Sequence, residues 1–396
     1  MSQQLISHSP DLKKLRDEGY EVCIVGSHLT MSNIPYVNSK REIAFGVLVS
    51  ELTLAGNVTS TPNTHVVSFI GDYPCDKKGN QIRKIEHTNG KKHLDENLEV
   101  DRSFSSKPIN GNYKDYYEKM TTYAAIISSH AQAIDPSTSP RTYKVIEDIG
   151  SESVFNYVDT ASSRAEILAA TRKLEQHKIA IIGLGGTGSY LLDYVAKTPV
   201  AEIHLFDGDV LLQHNAFRAP GAPSLNVLET KPPKVEYFSK IYSNMHRGIF
   251  AHYFYIDDSN VCLLKDMDFI FICIDGGTEK SLIVDRLFDY DKPFIDVGMG
   301  LYLNDDDMVV GGQLRVTSCI DGRRHVAKKF IPKSKGHDHG LYGQNIQVAD
   351  LNALNAALAV FKWKKYCKFY QDLDDEINMI YIIDGNMINN QGSKGE

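Results

Sequence analysis

Residues 178–189, Lys-Ile-Ala-Ile-Ile-Gly-Leu-Gly-Gly-Thr-Gly-Ser, narrow the possible folds more than any other part of the chain. The apolar run Ile179 to Ile182 meets Gly183, Gly185, Gly186 and Gly188, and a helical pattern follows at once. The spacing predicts a strand, a tight turn and a helix. Glycines let the backbone approach a phosphate, and the N–H groups of the first helical turn face negative charge. Asp207 stands at the end of the next apolar run, 24 residues after Gly183, where a carboxylate can hold a ribose or simply cap a turn. These features alone specify a nucleotide, because many dehydrogenases share the G-x-G-x-x-G turn.

The rest of the pattern extends the parallel-sheet reading. Strands are expected at 202–206, 250–256, 269–274 and 294–297, with helices at 188–196, 234–245, 278–288 and 348–368. This alternation implies a doubly covered, Rossmann-like parallel sheet with flanking helices. Gly312 to Thr317 and Arg324 to Phe330 flank Asp321-Gly322 and are expected to form a C-terminal hairpin. A length of 396 residues favours two domains, and the turn-rich stretch Asp135 to Pro140 places the boundary near 150, giving 1–150 and 151–396. The first is expected to be a mixed α+β domain, with helices at 11–18 and 113–134 and strands at 22–25, 42–48 and 65–70. Its Lys77, Lys78, Arg83, Lys84, Lys91 and Lys92 form either a solvated loop or a docking patch for an acidic partner.

Composition excludes other classes. A hydrophobic share of 42% and a charged share of 23% describe an ordinary globular chain with ample core. The formal charge of −7 argues against a general nucleic-acid or membrane binder. No apolar stretch approaches the ~18 residues of a membrane span, and Met1 to Asp11 lacks the pattern of a signal peptide. A cytoplasmic location is expected. The six cysteines form no C-x-x-C pair, so a zinc clip is not expected.

The residues downstream of Asp207 sharpen the chemistry: Asp209, then Asn215 and Arg218, then Lys234, and Asp275 after the 269–274 run. A nicotinamide dehydrogenase does not need this set. Phosphoryl or adenylyl transfer does, because cations must neutralise charge developing on a triphosphate. A carboxylate at Asp275 would recruit Mg²⁺, which takes oxygen ligands. In this order of motifs, residues 160–368 resemble the ThiF-type adenylyltransferases, the superfamily that includes ubiquitin-activating enzymes. The resemblance implies that Gly185 and Gly186 approach the ATP phosphates and that Asp207 binds the ribose. It further implies that Asp209 and Asn215 support the triphosphate loop, that Arg218 and Lys234 contact phosphate, and that Asp275 sits near Mg²⁺ and the attacking carboxylate. Where that family often has an arginine five residues after the aspartate, this chain has Lys280, which keeps the charge but not the fork.

Two further positions bear on mechanism. Ser163 and Glu166 have capping-box spacing, so a helix is expected to start at Ser163. Arg164 would then lie in a first turn where the dipole disfavours a cation. The resemblance assigns Arg164 to the ATP site of the other subunit in a homodimer. Ubiquitin-activating enzymes carry a thioester cysteine between the hairpin and the last helix, whereas residues 331–344 here hold no cysteine. Ser334, near His337 and His339, is either an ester-forming nucleophile or part of a flexible polar loop; Cys319 and Cys75 are either alternative nucleophiles or inert thiols. Phe69 to Cys75, with its Tyr-Pro pair, is similar to a stretch of ubiquitin-conjugating folds, without their His-Pro-Asn triplet.

The resulting expectation is ATP-dependent adenylation of the C-terminal carboxylate of a small ubiquitin-like or sulfur-carrier-like protein, with ATP and Mg²⁺. The alternatives are an NAD-dependent oxidoreductase and a non-catalytic nucleotide-binding scaffold.

Overall fold

The computed structural model describes residues 2–147, 153–175, 177–304, 306, 308–320, 322–332 and 346–392. The chain divides into two compact units, Met1–Ile146 and Glu147–Glu396. No helix among the described residues is long and apolar enough to cross a membrane.

In the first unit, α1 (Ser2–His8) and α2 (Pro10–Asp17) precede a six-stranded antiparallel sheet. Its strands are β1 (Glu21–Val25), β2 (His28–Val37), β3 (Ile43–Glu51), β6 (Val66–Ile70), β7 (Glu86–Asp95) and β8 (Leu98–Ser105), in the order β1-β2-β3-β6-β8-β7. The short pair β4 (Leu54–Ala55) and β5 (Val58–Thr59) stands apart. β2 is not among the strands expected from the sequence, where Asn33 and Pro35 interrupt its apolar pattern. Instead a bulge between Met31 and Ile34 absorbs Asn33 at φ 56°, and pairing with β3 resumes. The helix α3 (Tyr116–Gln132) starts at Asp115, whose side chain accepts from Glu118 N at 2.7 Å. Tyr116, Met120, Tyr123 and Ile127 recur at helical spacing and are buried with Leu48, Val67, Phe69 and Phe104 of the sheet. Lys91 and Lys92 of the basic region lie on the edge strand β7, where exposed charge discourages pairing with another chain.

The second unit opens with the short helices α4 (Thr160–Arg164) and α5 (Leu168–Thr171). Next come β9 (Lys178–Ile182), α6 (Gly186–Val195), β10 (Glu202–Phe206), α7 (Gln213–Ala216), α8 (Leu225–Thr230), α9 (Lys234–Tyr242) and β11 (Ile249–His252). Then follow β12 (Phe269–Ile272), α10 (Thr278–Asp289), β13 (Phe294–Asn304), β14 (Val309–Cys319), α11 (Arg324–Ala327), α12 (Ala349–Tyr366), β15 (Asn378–Ile382) and β16 (Met387–Gln391). The eight strands order as β11-β10-β9-β12-β13-β14-β15-β16. The first five run parallel, and β14 to β16 add antiparallel pairs.

Alternation along β9 explains the two-sided cover. Ile179 and Ile181 pack with Leu191, Leu192 and Val195 of α6, Phe238 of α9, and Ala359 and Trp363 of α12. Ala180 and Ile182 face the opposite layer, with Ile283, Val284 and Leu287 of α10. From β9 the chain builds outward through β10 to β11, then returns to place β12 on the other side of β9. That reversal creates a switch point between the carboxyl ends of β9 and β12.

The C-terminal hairpin differs from its expected place. β13 extends to Asn304 and pairs with β14 from Phe294↔Cys319 to Asn304↔Val309, so the connection lies at 305–308 and not at Asp321-Gly322. Arg324–Ala327 is helical. Gly312 sits inside the ladder, where a Cβ at its φ of 137° would lie 2.2 Å from the Gly300 carbonyl. Asp321 itself lies outside the described residues.

Candidate active site

The switch point gathers most of the predicted residues. Gly183 follows β9, Asp207 follows β10 and Asp275 lies three residues beyond β12, all at carboxyl ends of neighbouring parallel strands. Gly183 has φ 88°, and a Cβ there would lie 2.7 Å from Ile274 Cγ2 and 2.8 Å from the Cys273 carbonyl. Gly188 is tighter still, since its Cβ would lie 1.9 Å from the Gly183 carbonyl oxygen. Gly186 is closed off by Asn352, at 2.1 Å from the Nδ2 atom. At Gly185, which caps α6, an added Cβ meets nothing within 4 Å. The four glycines therefore divide their work: three permit close internal packing, and one faces open space at the N-terminus of α6, where backbone N–H groups attract an anion.

Asp207 is buried and uses both carboxylate oxygens on backbone. Oδ2 accepts from Leu184 N at 2.6 Å, and Oδ1 accepts from Asp209 N at 2.8 Å. It thus ties the glycine loop to the loop after β10, leaving lone pairs for a further donor. Lys234 opens α9; its Nζ donates to Asp209 Oδ2 at 2.7 Å and lies 3.7 Å from Asp207 Oδ2. The other oxygen of Asp209 accepts from the Tyr255 hydroxyl. Partial burial pulls the Asp209 pKa upward, but the Lys234 and Tyr255 hydrogen bonds and the charges of Lys234 and Arg218 bring it below the usual value. The bond to Asp209 in turn pushes the Tyr255 phenol up to about 12.

Asn215 is buried and works on its own loop, its Oδ1 accepting from Leu212 N at 2.9 Å to close the first turn of α7. Arg218 lies at the end of that loop, half-buried. Its Nε is shielded from water and has no hydrogen-bond partner among the described residues, a costly state that an incoming anion would relieve. Asp275 is exposed ahead of α10. Lys280 does not join this cluster. It is buried, donates to the Ile274 carbonyl at 3.3 Å and pairs with Asp296 at 2.5 Å, and Asp296 also holds Arg315 at 2.5 Å. Lys280 therefore braces the strand end beneath Asp275.

Arg164 stands differently from expectation. Asp159, not Ser163, caps α4, accepting from Ser162 N at 3.0 Å, and Arg164 lies in the last turn, where the helix dipole favours a cation. The predicted clash with the dipole is absent because the helix ends where a capping box would begin it. Among the described residues, the exposed Arg164 side chain makes no hydrogen bond or ion pair with the site cluster. Ser334, His337 and His339 lie outside the described residues. Cys319 ends β14 in the core, its thiol pushed up to about 12 by burial. Cys75 is also buried, and burial raises its thiol too. Neither is presented as a nucleophile.

Two site residues escaped the sequence reading. Tyr255 was expected inside a strand over 250–256, but β11 stops at His252 and the chain turns so that the Tyr255 ring covers Gly208. Asn352 has a signal in hindsight of the helix: it is a polar residue on the apolar stripe that continues through Ala356, Ala359 and Trp363.

Parts of both units are similar to known proteins. Residues 10–160 match a domain of unknown function (DUF6791). The chain is 28% identical over 174 residues to the adenylyltransferase and sulfurtransferase uba4 of Emericella nidulans, covering 38% of this chain and 36% of that protein. It is 23% identical over 160 residues to the SUMO-activating enzyme subunit uba-2 of Caenorhabditis elegans, covering 38% of this chain and 26% of that protein. The chain thus spans about a third of the first relative's length and about a quarter of the second's. Among solved structures, E. coli MccB with MccA-N7isoASN aligns with a TM-score of 0.44 at 18% identity, over 57% of this chain and 66% of that one. PaaA aligns with a TM-score of 0.42 at 16% identity, over 58% and 78%. Residues 160–333 match the ThiF family model, and with the glycine loop, the Asp207–Asp209–Lys234 cluster and Arg218 all inside that span, the second unit carries a ThiF family domain.

Proposed function

We propose that this chain adenylates the C-terminal carboxylate of a small ubiquitin-like or sulfur-carrier-like protein at the switch point of the second unit. The observation that carries the reading is the union of an anion-ready α6 N-terminus with Lys234 and an acceptor-less Arg218 nitrogen in one loop cluster. A hydride-transfer site does not need this combination of cations downstream of the ribose carboxylate. The names of the relatives, an adenylyltransferase and a SUMO-activating subunit, support the same chemistry and class of partner.

In this reading the partner's carboxylate attacks the α-phosphate of ATP, forming an acyl adenylate and releasing pyrophosphate. The glycine loop and α6 bind the phosphates, Asp207 orients the ribose, and Arg218 and Lys234 offset the charge that develops on the leaving pyrophosphate. Mg²⁺ fits the exposed Asp275 carboxylate, since that ion takes few protein oxygens and fills its shell with phosphate and water; when bound it screens the triphosphate. The protein acts as a homodimer in which Arg164 completes the site of the other subunit.

Pyrophosphate exchange into ATP, with and without candidate carriers, tests the activity. Carrier-dependent exchange is expected; tight NAD binding without any ATP binding in calorimetry would replace the reading with a dehydrogenase. Mixing Arg164→Ala with Asp275→Ala chains tests the crossed site. Each variant alone should be inactive, and subunit exchange should restore activity, because one of the mixed sites receives both intact parts.

A further inference from the structure

The amide of Asn352 joins three elements. Its Oδ1 accepts from Thr187 Oγ1 at 2.9 Å on the first turn of α6, and its Nδ2 donates to the Arg218 carbonyl at 3.3 Å. Asn352 is 1% exposed, and a Cβ at residue 186 would lie 2.1 Å from its Nδ2. Packing does not ask for an asparagine here. The stripe that follows on α12 is apolar, and leucine has the same branched heavy-atom skeleton and better helix propensity. What the amide adds is a fixed distance between the glycine loop and the loop that carries Arg218. Nearer β10 that loop is anchored by Asp207 and by Leu211 N, which donates to the Pro232 carbonyl at 2.7 Å; around Arg218 it closes on itself, through Asn215 to Leu212 and Arg218 N to the Asn215 carbonyl at 3.1 Å.

We propose that Asn352 is a positioning residue for the nucleotide: it holds the Arg218 loop in register with the glycine loop, so that the guanidinium and the α6 N-terminus address one phosphate chain. This rests on the reading of Arg218 as a phosphate contact. A guanidinium is useful to a phosphate only in the right orientation, because its donors form a rigid fork. Asn352 touches neither phosphate nor ribose in this scheme and acts through the Arg218 main chain.

Calorimetric titration of the full chain with Mg·ATP tests it, comparing wild type with Asn352→Leu, Arg218→Ala and the double variant, and with Asn352→Ala as a second probe should leucine disturb folding. Thermal midpoints report on the fold. Asn352→Leu should weaken Mg·ATP about tenfold, in line with the loss of a buried neutral hydrogen bond. Arg218→Ala should weaken it at least as much, and the double variant should match Arg218→Ala within about twofold, because Asn352 acts through that residue. An unchanged affinity in a folded Asn352 variant overturns the proposal, as does a double variant whose loss is the product of the two single losses. If Arg218→Ala binds Mg·ATP like wild type, the phosphate reading of Arg218 falls instead, and this inference falls with it.

Discussion

At the residue scale, the buried charges separate into those proposed to serve the nucleotide and those that only tax the fold. Lys119 in α3 is fully buried, with the Ser50 hydroxyl as its partner at 2.8 Å, and desolvation lowers its pKa to about 8 despite nearby Glu51. Below pH 8 both folded and unfolded chains hold this proton, and the folded state bears the cost of the buried charge. Between pH 8 and the ordinary lysine value of 10.5, the folded lysine releases its proton while the unfolded one keeps it, so this group's contribution to stability improves as pH rises. Lys119→Met should therefore stabilise the first unit by about 1–2 kcal/mol at pH 7, and denaturant melts should show that advantage shrinking toward pH 10. Asp207 belongs to the other class. Asp207→Asn turns one acceptor into a donor facing a backbone N–H and removes half of the charge beside Lys234. It should weaken Mg·ATP by about tenfold or more and cost about 1–3 kcal/mol of stability, read by calorimetry and thermal melts.

At the scale of elements, the site depends on close approach between the β9–α6 turn and the end of β12. Gly188→Ala would place a methyl group 1.9 Å from the Gly183 carbonyl, and no side chain can yield there because the obstacle is backbone. The helix α6 must shift, and Mg·ATP binding should be lost with a drop of about 2–4 kcal/mol in unfolding free energy. Gly185→Ala meets open space within the protein, so its fold should be retained while phosphate affinity falls. Comparing the two variants by melting and by calorimetry separates a packing glycine from a ligand-facing one. Beneath Asp275, the β13 residue Asp296 is completely buried between Lys280 and Arg315. Asp296→Ala leaves two cations without their shared partner and should cost about 3–5 kcal/mol, whereas Asp275→Ala, at an exposed strand end, should leave the melting temperature unchanged and abolish adenylate formation.

For the whole molecule, the two units have separate hydrophobic cores, one around Phe69, Phe104 and Tyr123 and the other on both faces of the parallel sheet. Scanning calorimetry should resolve two transitions. Mg·ATP at about 100 times its dissociation constant should raise only the one belonging to the ThiF domain, by roughly 5–10 °C for a unit of this size. A shift of the other transition alone would place the nucleotide in the first unit.

How much of this was legible beforehand follows from how local each feature is. The parallel strands of the ThiF domain are short apolar runs bounded by glycine, aspartate and proline, and the longer helices between them show their period while the short α7 and α8 do not, so the sequence by itself determined the α/β class and the carboxyl-end positions of Gly183, Asp207 and Asp275. Lys234 was legible as well, at the start of a helix after two prolines. Features settled by pairing partners were not. The hairpin moved from Asp321-Gly322 to 305–308 because eleven register pairs between β13 and β14 outweigh one favourable turn dipeptide. Arg164 changed ends of its helix because Asp159 captured the cap. Only the tertiary structure decided that Lys280 is sequestered by Asp296, that Tyr255 leaves the sheet to hold Asp209, and that Asn352 reaches from α12 across to two loops. Each of these depends on residues between 16 and 165 positions apart in sequence. No local propensity or periodicity encodes such a distance, whereas chain reversal at the switch point imposes it.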